Sequence, residues 1–309
     1  MQARIRHVRW EAHDILGFRL EPAAGASLPA FTAGAHVDVA LAAGLARSYS
    51  LLGDPADRSG YEIAVQLDVD SRGGSRHIHE HWRPGQWVDV SAPRNNFELH
   101  EGAARSVLIA GGIGITPMLS MIARLERLGR SWELHYAVRT RERAAFLDRL
   151  EHHDAVHLTI DDEPSTPRLD LARLLAGLPP DAHVYCCGPE RMLAAFRELG
   201  APLGERLHFE YFSADTDVAC DGGYRLDLRR SGRSIDVQPG ETMLDALLNA
   251  GVDVGFACSE GICGSCRVTV LDGVPDHRDH FLTDAEKQSN QAVMVCCSGA
   301  RSGVLALDL

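Results

Sequence analysis

The chain has 309 residues, 45% of them hydrophobic, which is enough for two or three domains with buried cores and excludes disorder as the default state. Its formal charge of −12 argues against a nucleic-acid partner and suits an acidic electron-transfer protein that docks on a basic surface. Of its 31 basic residues only Lys287 is a lysine, so a cofactor phosphate must be met by arginine, hydroxyls or backbone N–H groups.

Met1–Trp10 alternates charged and apolar residues, unlike the apolar run of a signal peptide. The first segment, residues 1–101, holds alternating stretches at Ile5–Trp10, His36–Leu41, Ser48–Leu52, Tyr61–Leu67 and Trp87–Val90, punctuated by Gly and Pro. Many short strands with turn signals predict an antiparallel β-barrel. Within it, Arg47-Ser48-Tyr49-Ser50-Leu51 alternates sides as a strand must; alone it is equally a plain strand with an exposed arginine. Arg72-Gly73-Gly74-Ser75, ahead of a helix expected over His77–Trp82, can make an anion site from backbone amides. His77, His79 and His81 read as an exposed helix face better than as a metal site, since no carboxylate or cysteine partner is evident.

The second segment, residues 102–212, changes to strand then helix. Apolar runs at Ser106–Ala110, Trp132–Val138, Val156–Ile160, His183–Cys186 and Leu207–Tyr211 alternate with helical spacing at Pro117–Leu128, Glu142–His152, Leu169–Leu178 and Glu190–Leu199. That rhythm predicts a doubly wound parallel sheet. The uncharged run from Ser106 to Ala123 begins as a strand and ends as a helix. Gly111, Gly112, Gly114, Thr116 and Pro117 interrupt it, so no membrane span is expected and the protein is read as cytoplasmic. The glycines allow close approach of a pyrophosphate at a helix N-terminus, with Thr116 as a plausible cap and Pro117 in the first turn. This is not the G-x-G-x-x-G fingerprint, and a glycine-rich turn alone is weak evidence. Cys186-Cys187-Gly188-Pro189-Glu190 opens another helix on the same sheet edge, where Cys187 is at the least a small buried strand-end residue. Arg139-Thr140-Arg141 ends the second strand, where the adenosine ribose is usually read; arginine there suits a 2′-phosphate and hence NADPH.

Residues 213–223 are polar, end in a Gly pair and read as a linker. The third segment, residues 224–309, shows a hairpin (Tyr224–Arg230, Ser234–Val237), a helix over Thr242–Ala250, and late strands at Arg267–Leu271 and Val304–Leu307. Eight cysteines are too sparse for a disulfide scaffold, but four are placed meaningfully: Cys258, Cys263 and Cys266, then Cys296. This is the C-x₄-C-x₂-C…C spacing of a plant-type [2Fe–2S] cluster. Zinc sites pair short knuckles instead of using three ligands plus one. Gly261 and Gly264 let the loop fold tightly over the irons. Cys297 adjoins Cys296; the spacing favours Cys296 as the ligand and leaves Cys297 as a small packed residue.

The cysteine loop, Asp276-His277-Arg278-Asp279, the ending Ala306-Leu307-Asp308-Leu309 and the two preceding segments together resemble the phthalate dioxygenase reductase family over essentially the whole chain. That family includes the reductases of vanillate demethylases and related Rieske oxygenases. The resemblance implies an FMN domain, then an NADH domain, then a β-grasp ferredoxin domain, in a monomer that passes single electrons to a terminal oxygenase. Arg47–Leu51 is similar to the R-x-Y-S-L flavin motif, which implies Arg47 on the flavin phosphate, Tyr49 stacked on the isoalloxazine and Ser50 near N5. Gly74 and Ser75 would hold the FMN phosphate, with Val65 and Gln66 lining the flavin; FMN over FAD is an implication of the resemblance. Gly112, Gly114, Thr116 and Pro117 match the G-G-x-G-x-T-P form of ferredoxin reductases. Cys187, Gly188 and Pro189 would lie beside the nicotinamide, Arg139 near the adenosine, and Phe212 against the flavin. NADH is implied over NADPH. Gly299 departs from the arginine common in relatives, which bears on docking and touches no ligand.

Two other readings stand beside this one. A di-iron monooxygenase reductase usually places the ferredoxin domain first and binds FAD, opposite to the order here. A non-catalytic redox sensor would explain the cysteines and leave Arg47–Leu51 and Gly111–Pro117 without a purpose.

Overall fold

The computed structural model describes residues 1–41, 45–69, 73–163, 168–212 and 217–309, and divides into two compact units, Met1–Phe212 and Ser213–Leu309. In the first unit, four antiparallel strands lie in the order Tyr61–Gln66, Ile15–Glu21, Gln2–Ala12, Trp87–Asp89. A second antiparallel pair, His36–Ala40 and Ala46–Ser50, is joined to this sheet through bridges at Val39–Val90 and Leu52–Glu62. The resulting barrel encloses Ile5, Phe18, Leu20, Val37, Ile63 and Trp82. The strand Ile15–Glu21 escapes the sequence pattern because both its faces are covered. Phe18 and Leu20 enter the barrel core, while Ile15 joins the core of the neighbouring sheet, so strict alternation is lost.

That neighbouring sheet has five parallel strands in the order Leu207–Glu210, Ala182–Cys187, Arg105–Gly111, Ser131–Val138, Val156–Ile160. Leu108 and Ala110 pack under Ile115 and Met118 of the helix Ile115–Leu128. Val107 and Ile109 point the other way, under Leu193 and Phe196 of the helix Glu190–Gly200, as period-two alternation requires. Ala33, Leu52, Ala64 and Phe97 of the barrel half share one core with this sheet. The backbone N–H of Gly34 donates to Ser120 Oγ at 3.1 Å across the same seam.

One expected helix is not there. In place of Glu142–His152 the chain forms a 3-10 turn at Arg141–Arg143 and a single helical turn at Leu147–Leu150. Phe146 adopts φ +62° between them, and the Ala145 N–H donates to the Tyr136 hydroxyl at 3.1 Å instead of to a helical carbonyl. Burial of Ala145 and Phe146 in the core overrides the helical spacing of the surface residues.

The second unit is a β-grasp: five strands in the order Arg233–Val237, Tyr224–Leu228, Val304–Leu307, Arg267–Asp272, Ala292–Met294, with a central parallel pair and antiparallel neighbours. The helix Met243–Asn249 packs Met243, Leu244 and Leu247 onto it, and Thr242 caps that helix in a reciprocal box with Asp245. A second capping box, Thr283 with Glu286, starts the short helix Asp284–Ser289. The expected linker lies partly outside the described residues. From Asp217 to Gly223 it has no regular structure, yet it is pinned: Ala219 N–H donates to the Cys297 carbonyl at 2.9 Å and Cys220 O accepts from Gly240 N–H at 2.8 Å. Among the described residues no helix is long and apolar enough to cross a membrane.

Candidate functional site

Strand order reverses between Arg105–Gly111 and Ala182–Cys187, so a crevice opens outside their carboxyl ends. The two glycine loops meet there. A Cβ placed on Gly114 would lie 2.2 Å from the Cys187 carbonyl oxygen, and one on Gly111 would lie 2.5 Å from Pro189 Cδ. Gly188 packs against Gly111, whose Cα is 3.0 Å from the corresponding Cβ position. Gly112 turns the chain at φ +55° with nothing within 4 Å of its missing side chain, leaving open space over the helix entrance. Thr116 does not cap the helix. It lies inside the first turn, and its hydroxyl donates back to the Ile113 carbonyl at 3.0 Å. Pro117 is buried in the same turn, where its ring displaces no helical hydrogen bond. Arg139 follows Val138 at the strand end and is exposed; its carbonyl accepts from Asp162 N–H at 3.1 Å.

One strand of the barrel half approaches this crevice. Tyr61–Gln66, which carries Val65 and Gln66, runs beside Gly112–Gly114 and beside Ala46–Ser50. On the latter strand Ser50 is buried, and Leu51 behind it is buried with its N–H on the Ala35 carbonyl at 2.8 Å. Ser48 Oγ donates to Asp38 at 2.7 Å, and Tyr49 is half-buried with its phenol pushed above its ordinary pKa by desolvation. Arg47 crosses the start of the helix Gly74–His81: a Cβ on Gly74 would fall 2.8 Å from Arg47 Cγ and 3.0 Å from Nε. A guanidinium is thus set against a helix N-terminus entered through Gly73 at φ +95°, and Ser75 Oγ accepts from Asp68 N–H at 3.2 Å. Cation and amide dipoles converge on one place, which fits a phosphate. Arg72 of the same motif lies outside the described residues. The histidines divide: His77 and His81 stack at 4.5 Å, while His79 turns inward with Nε2 2.9 Å from the Val65 carbonyl.

Cys187 is fully buried, and burial drives its thiol well above the ordinary range, so it is a neutral thiol and not a nucleophile. Its register partner on the next strand is Glu210, a residue that sequence reasoning passed over. Glu210 as a whole residue is half-buried, but its carboxyl Oε2 is shielded and has no hydrogen-bond partner, and burial raises this carboxyl to about 8. An acid orphaned at the carboxyl edge of a doubly wound sheet is a site for a polar ligand group. The signal lay in Glu210-Tyr211-Phe212, a charged residue at the end of an apolar strand. Phe212 itself packs on the core that contains Cys187, Ala64 and Ile115.

In the second unit Cys258, Cys263, Cys266 and Cys296 are all buried, and none forms a disulfide. Hydrogen bonds from the Cys263 and Cys296 thiols, and from the Glu260 and Ile262 backbone, pull Cys258 toward the thiolate. Cys296 also reaches Cys266, so four sulfurs converge. Ser259, Gly261 and Gly264 take left-handed conformations at φ +59°, +69° and +77° to let three of them point inward. Gly261 is required twice over, since its Cβ would fall 2.5 Å from Cys297 Sγ. Cys297 is fully buried behind the loop, its thiol directed at the Met294 carbonyl 3.8 Å away. Buried, unoxidised and mutually close, the set fits a thiolate-ligated cluster.

Known proteins show the same arrangement. Residues 108–198 match the oxidoreductase NAD-binding domain and residues 226–301 the 2Fe-2S iron–sulfur cluster binding domain. The chain is 48% identical over 308 residues to phenoxybenzoate dioxygenase subunit beta of Ectopseudomonas oleovorans, covering 99% of this chain and 96% of the other. It superposes on the phthalate dioxygenase reductase structure with TM-score 0.77 and 38% identity, covering 100% of this chain and 98% of that one. The chain belongs to the phthalate dioxygenase reductase family. It also superposes on an intact type IV self-sufficient cytochrome P450 monooxygenase with TM-score 0.87 and 41% identity; all of this chain is matched, and it spans only 41% of that longer one. A member of this family is an oxidoreductase with a pyridine-nucleotide domain and a [2Fe–2S] domain, and both are present here.

Proposed function

We propose that the protein takes a hydride from NADH onto FMN and passes single electrons through a [2Fe–2S] cluster to a Rieske-type oxygenase. It is the reductase component of an oxygenase system. The observation that carries the reading is the convergence, within the first unit, of Tyr61–Gln66 with Gly112–Gly114 and of Gly111–Gly114 with Cys187–Pro189, in a chain whose second unit is built round four buried cysteines. The chemistry supplied by the bound groups is hydride uptake at the flavin and one-electron carriage at the cluster.

The chain supplies position and electrostatics. Arg47 and the first-turn amides at Gly74 and Ser75 hold the flavin phosphate by charge and N–H donation. Tyr49 supplies an aromatic face, and Ser50 a hydroxyl, on the strand beside Val65 and Gln66. Gly112, Gly114 and Thr116 would set backbone N–H groups toward a pyrophosphate, and Pro117, which has no N–H, fixes the first turn behind them. Cys187, Gly188 and Pro189 wall the nicotinamide, and Arg139 marks the adenosine end. Cys187 excludes water without offering charge. Glu210 offers the carboxamide of nicotinamide a hydrogen-bond partner from a dry position. Phe212 would lie against the flavin. Cys258, Cys263, Cys266 and Cys296 ligate the cluster.

A second reading, a haem monooxygenase as acceptor, is favoured by the full-length match to part of a self-sufficient cytochrome P450. Anaerobic titration of the purified protein with NADH, with the released flavin identified, tests the core proposal. Loss of both a flavin band and broad iron–sulfur absorption, with FMN released, is the expected result. A flavin without iron–sulfur absorption after reconstitution with iron and sulfide would overturn it. Transfer assays with a Rieske oxygenase and with a P450 haem domain separate the two acceptors.

A further inference from the structure

Strands Ser131–Val138 and Val156–Ile160 carry a cluster that the dinucleotide site does not use. Alternation along Ser131–Val138 buries Leu134, Tyr136 and Val138 and leaves Glu133 and His135 half-exposed on the opposite face. On that face the helices pack over Val107 and Val184, and Ser131–Val138 and Val156–Ile160 keep Glu133, His135 and His157 there. His157, on the edge strand, is the direct register partner of His135. Three potential ligands therefore come together from two neighbouring strands.

One ligand atom from each of the three lies within 4.8 Å of the other two. His135 Nε2 is shielded from solvent and has no hydrogen-bond partner, an arrangement that calls for something to occupy it. It stands 3.6 Å from Glu133 Oε1. That is too long for a hydrogen bond. It is close to the span between two ligands of one ion held by bonds of roughly 2.0–2.2 Å. The other Glu133 oxygen is taken by the Arg105 guanidinium, the kind of outer partner that fixes a ligating carboxylate. The His135 and His157 rings lie side by side, with centroids 4.7 Å apart and 29° between planes, and a turn of the exposed His157 ring brings its nitrogen toward the point that His135 faces.

We propose that Glu133, His135 and His157 form a binding site for a divalent transition-metal ion of the zinc class, which ties the edge strand Val156–Ile160 to its neighbour. Two imidazoles and one carboxylate favour zinc over magnesium or calcium, which take all-oxygen shells. Three protein ligands leave a fourth position for water. An ion bound only by the folded sheet stabilises it by mass action.

The test uses full-length, cluster-loaded protein, so that the four cysteines are already occupied. Wild type, His157→Ala, His135→Gln and His77→Ala are dialysed against buffered zinc, metal is counted per chain, and thermal midpoints are measured with and without zinc. His157 is exposed, so its removal leaves the fold intact. Wild type is expected to hold about one more zinc ion per chain than His157→Ala or His135→Gln, and to gain a thermal shift that both lose. His77→Ala, which breaks the helical histidine pair, is expected to match wild type. Equal uptake by wild type and His157→Ala, or a loss that follows His77→Ala instead, would overturn the site. Uptake without a thermal shift would overturn its strand-tying role.

Discussion

Cys187 and Glu210 stand opposite each other in register on adjoining parallel strands, a neutral thiol beside a carboxyl with a shielded, unpartnered oxygen. The Glu210 carboxyl is raised by burial from an ordinary 4.5 to about 8. Between those values the folded protein keeps a proton that the unfolded chain has lost. Stability contributed by this group is therefore full below about pH 4.5 and is lost as pH rises through 8. Glu210→Gln should gain on wild type as pH increases, by on the order of a few kcal/mol at the alkaline end. Urea midpoints from pH 5 to 9, followed by tryptophan fluorescence, check this, because all four tryptophans lie in the first unit. Parallel pH curves for the two proteins would show that Glu210 titrates normally.

Gly114 and Gly112 are three-dimensionally unlike, and their alanine variants should differ. Gly114→Ala drives a methyl into the Cys187 backbone at 2.2 Å. A loss of about 1–3 kcal/mol and a raised KM for NADH are expected, since neither loop can yield without parting from the other. Gly112→Ala meets open space and bears only the left-handed backbone penalty of roughly 1–2 kcal/mol. Denaturation and steady-state kinetics on both variants separate steric from conformational cost.

Nucleotide choice turns on Arg141. Its Nε and Nη2 donate to the two oxygens of Glu163 at 2.9 and 3.1 Å, so of the two arginines in Arg139-Thr140-Arg141 this guanidinium is already claimed. Releasing it with Glu163→Ala should raise kcat/KM for NADPH by roughly threefold to tenfold, the scale of one exposed charge contact. NADH turnover should change little. An unchanged NADPH/NADH ratio would place the discrimination elsewhere.

Arg47 is the one arginine laid across the start of the helix Gly74–His81 that the flavin motif supplies. Arg47→Ala should weaken flavin retention by roughly tenfold to a hundredfold, the value of a hydrogen-bonded charge contact of about 1.5–3 kcal/mol. Equilibrium fluorescence titration of stripped protein with FMN and with riboflavin is the measurement. Equal losses for both would show that Arg47 does not serve the phosphate.

Cys263→Ser is expected to abolish reduction of a one-electron protein acceptor while flavin reduction by NADH continues. The division of the chain into two units, with the nucleotide loops in one and the cysteines in the other, is the reason. Stopped-flow absorbance for the first step and cytochrome c reduction for the second distinguish them. Equal loss of both in a folded variant would contradict that division.

The amino-acid sequence by itself determined the order of a barrel, a parallel sheet and a ferredoxin fold. It also determined the spacing of the four cysteines and the two glycine loops. Each of these depends on local spacing: period two, period 3.6, or the reach of one loop round one cluster. Its failures come mainly from tertiary burial, which local spacing does not report. Ile15–Glu21 is buried on both faces, Thr116 turned its hydroxyl back to Ile113 instead of capping, and the buried Phe146 broke a helix that surface spacing favoured. Only the tertiary structure paired Cys187 with Glu210, Arg141 with Glu163, and Glu133 and His135 with His157. Strand order and register bring these residues together across 22 to 24 positions of sequence, and no periodicity along the chain encodes which strand will lie beside which.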